Sequence, residues 1–389
     1  MANYISSNAN RFYAAIEPSY GQAALVSAAN RFPAVRMAIQ QGLEQSRRHD
    51  KTGSRTFRGI PKTARRVTAF EAQTYLTSWS GTGSPAYGPL FQAAFGAQPL
   101  LNSELTVQSI PQPGAIQTTV PHALAVGSAV SFHDEIRFVS SVMDAQTVLL
   151  NAGFSTAPSA GSSLAPAITY RLSTNLSSVT LYDYWDPITA VQRAVVGAAV
   201  DTLDISVSGD FHEFTFRGPA ADVLDSQTFA GGTAGLSQFP AEPPLGQFDY
   251  SLVPGHLGQA WIGAPANQFF TLLSASIHLN NNLTTRNREF GTAIPRAILP
   301  GARQVLTHLS VMAQDDAQTA GLFQAARSRT ALPAMLQLGQ QQGQLMGIYM
   351  PSVTPELPQY NDGQPELQWD FRNCQAQGQA DDEIFVAFA

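Results

Sequence analysis

Gly21-Gln22-Ala23, followed by Ala29-Asn30-Arg31-Phe32, returns as Gly258-Gln259-Ala260 and, at the same internal spacing, Ala266-Asn267-Gln268-Phe269. The numbering offset between the two copies is 237, and nearly the same offset persists along the chain. Arg55, Phe57, Ile60-Pro61-Lys62 and Ala64-Arg65-Arg66-Val67 are echoed by Arg288, Phe290, Ile294-Pro295-Arg296 and Ala302-Arg303-Gln304-Val305, at offsets of 233 to 238. Leu90-Phe91-Gln92-Ala93-Ala94 recurs unchanged as Leu322-Phe323-Gln324-Ala325-Ala326, at an offset of 232. Four matches in one order at nearly one offset mark an internal repeat, which constrains the architecture more than any local feature. Further on the offset drops to 155, because Glu213-Phe214-Thr215-Phe216-Arg217 matches Gln368-Trp369-Asp370-Phe371-Arg372. The drop means that the first copy carries an insert between Ala94 and about Ser177. The expected organisation is a first repeat over 1–99 and 173–220, an insert over 100–172, a Gly- and Pro-rich linker over 221–250, and a second repeat over 251–389.

Within each repeat the residue pattern predicts mainly β structure. Ala34 to Ile39 and Leu272 to Leu279 read as strands, each followed by a polar, basic loop. Val67-Thr68-Ala69-Phe70-Glu71-Ala72 and Val305-Leu306-Thr307-His308-Leu309-Ser310-Val311 then alternate, as a strand with one buried face does. Strand, loop and strand make a long hairpin. The shared Leu-Phe-Gln-Ala-Ala places Leu90, Phe91 and Ala94, and likewise Leu322, Phe323 and Ala326, on one face of a helix that should cover a sheet. Each repeat closes with alternating strands, such as Leu203 to Val207, where Leu203 and Ile205 share one face and Asp204 and Ser206 the other. The insert holds short strands at Ala129–Phe132, Ile136–Val139 and Thr147–Leu150, which suggest a small β-sandwich or barrel.

Composition narrows the function. Hydrophobic residues make up 44% of the 389, so the chain folds around real cores. Charged residues make up only 13%, about half the share of an ordinary soluble domain, and self-association is the simple way to hide so neutral a surface. A net charge of −6 argues against gripping nucleic acid by its phosphates. One cysteine, Cys374, excludes an internal disulfide. No run of about 18 apolar residues and no basic-then-apolar leader occurs, so neither secretion nor membrane insertion is expected.

No phosphate loop, nucleophile elbow, His-Glu-x-x-His or Cys-x-x-Cys is present, and no enzyme activity, metal or cofactor is expected. His133-Asp134-Glu135 sits where a hairpin needs a turn. Asp381-Asp382-Glu383 reads as a solvated run before a last strand. His308 and Ser310 share a strand face without an evident carboxylate to orient a base. The sharpest charge feature is the loop carrying Arg47, Arg48, Lys51, Arg55 and Arg58, echoed by Arg286 and Arg288. It is a solvated hairpin tip or an arm that docks on a neighbouring copy.

Phe12 to Gly21, with its Glu17-Pro18-Ser19-Tyr20-Gly21, the succession Arg55 to Pro61, Phe70-Glu71 and Gly88 to Phe91, and Ser276 to Asn282 through Gly291 and Arg303 to Pro351 together resemble the major tail tube proteins of long-tailed bacteriophages. The resemblance implies two tandem tail-tube domains, each of packed antiparallel sheets with a flanking helix, whose inner sheets join into a barrel around a channel. It implies a structural virion protein, made in the host bacterial cytoplasm, whose partners are itself, a tape-measure protein, and tail terminator and distal tail proteins. DNA would pass through the lumen without specific binding. With two domains per chain the expected ring is a homotrimer of pseudo-sixfold symmetry, the alternative a homohexamer. Asp204 and Ser206 are the lumen-facing candidates, and the basic loop residues the inter-ring candidates. The alternatives in function are another virion component, such as a capsid decoration or distal tail protein, or a glycan-binding β-sandwich.

Overall fold

The computed structural model describes the chain except residues 1–3, 47–48, 52, 57–58, 60–62, 80–82, 247–249, 264–265 and 364. The protein is mainly β, built from antiparallel sheets, with two α-helices among the described residues. The first half opens with β1 (Asn10–Ile16), β2 (Arg31–Phe32), β3 (Ala34–Glu44), β4 (Arg65–Tyr75) and α1 (Gly88–Phe95). Then come β5 (Leu100–Leu101), β6 (Leu105–Ser109), β7 (Ala115–Thr118), β8 (Ala129–Phe132), β9 (Glu135–Val142), β10 (Thr147–Leu150), β11 (Ser163–Leu164) and β12 (Ile168–Arg171). The half ends with β13 (Val179–Trp185), β14 (Arg193–Ala198), β15 (Thr202–Val207), β16 (Glu213–Ala220) and β17 (Asp222–Asp225). The second half holds β18 (Gly258–Ile262), β19 (Asn267–Gln268), β20 (Leu272–Asn280), β21 (Thr284–Thr285), β22 (Ile298–Leu299), β23 (Gln304–Met312) and α2 (Ala317–Ser328). It ends with β24 (Leu332–Leu338), β25 (Met346–Thr354), β26 (Gln359–Asn361), β27 (Gln368–Ala376) and β28 (Phe385–Phe388).

The two halves pair their strands in the same order. The first has an outer sheet β17-β14-β13-β1-β2, the second β28-β25-β24-β18-β19. Facing these are β15-β16-β4-β3 and β26-β27-β23-β20. Even the irregularities coincide: β3 slips its register on β4 between Ala34 and Arg36, and β20 slips on β23 between Leu272 and Ser274, the same step of the second hairpin. A bulge bends its strand and raises the local twist, so both hairpins curve at the same place.

The two inner sheets are one. β15 pairs with β20 from Thr202↔Asn280 to Val207↔Ala275, which joins the halves into eight consecutive strands, β3-β4-β16-β15-β20-β23-β27-β26. Alternation decides its two faces, with Phe70, Ala72, Leu203, Ile205, Phe214, Phe216, Ile277 and Phe371 turned to the core. Helix α1 lies across the seam: Asn281, the first residue after β20, donates its Nδ2 to the carbonyls of Ala94 and Val200, each at 3.0 Å. Beyond the single face expected from sequence, α1 is buried nearly all round, Gln92 included, because β1, β12 and β13 pack on it as well, and Phe388 of β28 and Tyr170 of β12 close around Phe91. Helix α2 buries Leu322 and Ala326 of the expected face together with Ala325, leaves Phe323 only partly buried beside Trp369, and has Asp316 capping the Thr319 amide at 2.6 Å.

The stretch 100–172 holds a six-stranded antiparallel sheet of its own. Its strands run β11-β6-β7-β10-β9-β8, and a bridge between Ser131 and Ala165 returns the last to the first, closing a small barrel around Val107, Ile116, Val130, Val139 and Val148. Its two connections are not free: β12 pairs with β5 and with β28, so the stalk becomes part of the second half's outer sheet. The stretch 221–250 is also more than a linker. β17 is the edge strand of the first outer sheet, and Phe229, Leu236 and Phe239 cover the Tyr13, Tyr182 and Tyr184 face of that sheet. Glu242 then accepts from Arg11 Nε at 2.5 Å and Tyr13 Oη at 2.9 Å, pinning the strap.

His212, at the turn between β15 and β16, is 1% exposed, and desolvation pushes its imidazole pKa from 6.5 down to about 4. A histidine held neutral in the fold contributes stability above pH 6.5 that is lost as pH falls toward 4, because the unfolded chain takes up the proton first. The expected loss is about 3 kcal/mol between those pH values. Urea unfolding of the protein and of His212→Gln at pH 7 and pH 4 should show the variant losing less stability on acidification; an equal loss in both would contradict it.

Candidate self-association surface

The face of the eight-stranded sheet that turns away from the core is polar and open. Asp204 and Ser206 stand on it, opposite Leu203 and Ile205, as their alternation predicts. Asp204 is the centre of a network across the seam: it accepts from Arg217 Nη1 at 2.5 Å and lies 2.6 Å from Nδ1 of His278 on β20. Arg217 also donates to Glu71 at 2.7 Å, a bond that raises its pKa above the ordinary arginine value, and Arg36 approaches Glu71 at 3.7 Å. Glu213 accepts from Gln73, and Asp370 from Gln368 and Ser310. Charges of both signs alternate along the face and neutralise one another locally. A groove of about 470 Å³ crosses it, lined in part by Arg36, Gln40, Glu71, Arg217, Pro219 and Asn287.

At its two ends this sheet has unpaired edges. Among the described residues β3 pairs only with β4, and β26 only with β27. Both edges expose apolar side chains, Val35 and Leu43 on one, Leu357 and Tyr360 on the other. An open sheet edge with apolar residues is a template for another strand.

The basic loops differ. Arg47, Arg48 and Arg58 lie outside the described residues, while Lys51 and Arg55 are exposed at the tip of the long β3–β4 hairpin. In the second half Arg286 pairs with Glu289, which Arg296 also approaches at 3.6 Å, and Arg288 is exposed. That loop folds back on the first half: β21 pairs with β22, and the Ala293 carbonyl accepts from the Arg66 amide at 2.8 Å.

The other titratable clusters resolve into structure. His133 and Asp134 take positive φ values of 46° and 62° in the β8–β9 turn, and Glu135 points to the buried Arg137. Ser310 donates to Asp370 at 2.8 Å, a carboxylate from β27 that no sequence spacing reveals. Asp381 and Glu383 both face Arg303, at 2.9 and 3.5 Å. Among the described residues no group of three or more His, Cys, Asp or Glu could hold a metal ion, and no helix is long and apolar enough to cross a membrane. Glu17 of the Glu-Pro-Ser-Tyr-Gly stretch is buried and accepts from Ser178 Oγ, Thr180 Oγ1 and the amides of Gly21 and Gly197, at 2.6 to 2.9 Å. It locks the start of β13 and a bend in β14 to the end of β1. Scanned against protein-family models and against curated proteins, the chain matches none of either.

Proposed function

We propose that this chain is the structural subunit of a stacked-ring tube, the tail tube of a long-tailed bacteriophage, and that its two halves are duplicated tube domains. The observation that carries the reading is the single eight-stranded sheet that crosses both halves and ends in two open edges. Two different edges on one molecule join head to tail, and such contacts close into rings or run on as filaments. Three chains would supply six domains to a ring, with the open polar face of the sheet lining the channel. On that face carboxylates sit beside Arg36, Arg217 and Arg372, so a DNA phosphate meets little unpaired cationic charge and slides. The insert and the strap cover the outer sheets, on the side away from this face, which leaves the channel clear.

Electron microscopy of the purified protein at high concentration tests the reading: stacked rings or tubes support it, and isolated monomers at every concentration contradict it. The hairpin tip supplies a second test of ring stacking. Replacing Lys51 and Arg55, both exposed, with Glu inverts the sign of the tip, and exposed charge changes seldom shift stability by more than about 0.5 kcal/mol. Tubes should then fail to lengthen while the melting temperature stays put; tubes of normal length would remove the docking role.

A further inference from the structure

We infer that the β26 edge of one chain pairs antiparallel with the β3 edge of a second copy, with Asn361 opposite Ala38, Tyr360 opposite Ile39 and Gln359 opposite Gln40 of that copy. The register comes from the seam inside the molecule. There β15 meets β20 with Ser206 opposite Ser276, Ile205 opposite Ile277 and Asp204 opposite His278. Both partners of that seam have counterparts at the open edges. β26 holds on β27 the place that β15 holds on β16: Gln359↔Asp370 and Tyr360↔Trp369 match Asp204↔Thr215 and Ile205↔Phe214, so that Gln359 answers to Asp204 and Tyr360 to Ile205. β3 holds on β4 the place that β20 holds on β23, down to the shared bulge, so that Ile39 answers to Ile277 and Gln40 to His278. Replacing each residue of the internal seam by its counterpart gives the stated register with no adjustable choice.

Burial points to the same contact. Ile205 and Ile277, which face each other at the internal seam, are each 1% exposed. Their counterparts are less covered: Tyr360 is 61% exposed, with its ring beside Trp369, and Ile39 is half-buried. The same holds above the seam, where Phe91 is fully buried and its counterpart Phe323 is only partly buried. An exposed tyrosine and a half-buried isoleucine brought opposite each other form the aromatic–aliphatic cross-strand pair that favours a sheet junction. Where Asp204 and His278 meet inside, the outer junction sets Gln359 against Gln40, two amides that can bond to each other.

This inference rests on the self-association in the proposed function, and not on the phage tail. It is tested with the full chain carrying Gln40→Cys and Gln359→Cys. Both positions are exposed, and the native Cys374 is buried with its thiol pKa pushed up to about 11, so it stays out of the oxidation. The two positions lie at opposite ends of eight strands, about 30 Å apart at roughly 4.8 Å per strand, so a disulfide between them must join two molecules. Mild oxidation should convert most of the protein to a covalent series ending at a closed trimer. Arg36→Cys with Gln359→Cys, displaced along the strand on the same face, and each single variant should form no covalent oligomer. Equal cross-linking of the displaced pair, linkage of Gln359→Cys to itself, or no linkage in rings visible by electron microscopy would overturn the register. Covalent trimers without tubes would leave the pairing standing and remove the tube; a monomer at all concentrations would remove both.

Discussion

Phe91→Ala is expected to cost the isolated chain about 3–5 kcal/mol, the range for deleting a fully buried phenylalanine. Its ring lies 5.2 Å from those of Phe214 and Phe216, 5.3 Å from Phe388 and 5.9 Å from Tyr170. These partners come from the inner sheet, from β28 and from the returning stalk of the insert, so no single element can move in to fill the cavity. Phe323→Ala, at the matching place on α2, removes a partly buried ring and should cost about 1–2 kcal/mol in the same measurement. Urea denaturation of both variants gives the comparison. Equal losses would mean that the internal seam is no better sealed than the outer edge, which the burial contradicts.

Glu135→Ala should be nearly as damaging, at about 3–5 kcal/mol, because it leaves a buried cation without its counter-charge. Arg137 has no exposed side-chain surface; it pairs with Glu135 at 3.0 Å, donates to Gln337 at 3.0 Å and to the Gly153 carbonyl at 2.9 Å, and lies 3.9 Å from the Trp261 ring centre. Desolvation lowers its pKa to about 10, still charged at neutral pH. Through Gln337 and Trp261 this one side chain ties the insert to the second half's outer sheet, alongside Phe138 stacked on Tyr349 at 5.4 Å. Loss of Glu135 should therefore loosen the insert first, seen as rapid proteolysis between about 100 and 170 while the rest resists. Replacing both partners, Arg137→Met with Glu135→Leu, removes the charge problem and should restore most of the loss. If the double variant is as unstable as the single, packing rather than charge holds the insert.

The shared order of the two halves was legible because corresponding strands keep their spacing. The offset read from Glu213–Arg217 against Gln368–Arg372 is the one that relates β16 to β27 and β15 to β26, and the alternation of Leu203 to Val207 placed Asp204 and Ser206 on their face. What the sequence hid is what depends on distant partners. Nothing near Glu17 signals that its carboxylate is satisfied by Ser178, Thr180 and Gly197, and nothing near Arg137 signals Gln337, which comes from the other half of the chain. The strap over Tyr13 and Tyr184 read as linker because its Gly and Pro residues break periodicity, while Phe229, Leu236 and Phe239 bury as single anchors without forming a strand. The full burial of helix α1 was hidden for a related reason: Tyr170 and Phe388, which close around Phe91, come from the returning end of the insert and from the last strand.

The measurement that bears most directly on the account is a cryo-electron microscopy reconstruction viewed down the axis of the assembled particle. The account predicts three chains per ring, each giving eight strands to one continuous wall, with β26 of each chain beside β3 of the next, Asp204 facing the channel and three insert barrels on the outside. Six chains per ring, each placing a single half in the wall, would contradict it.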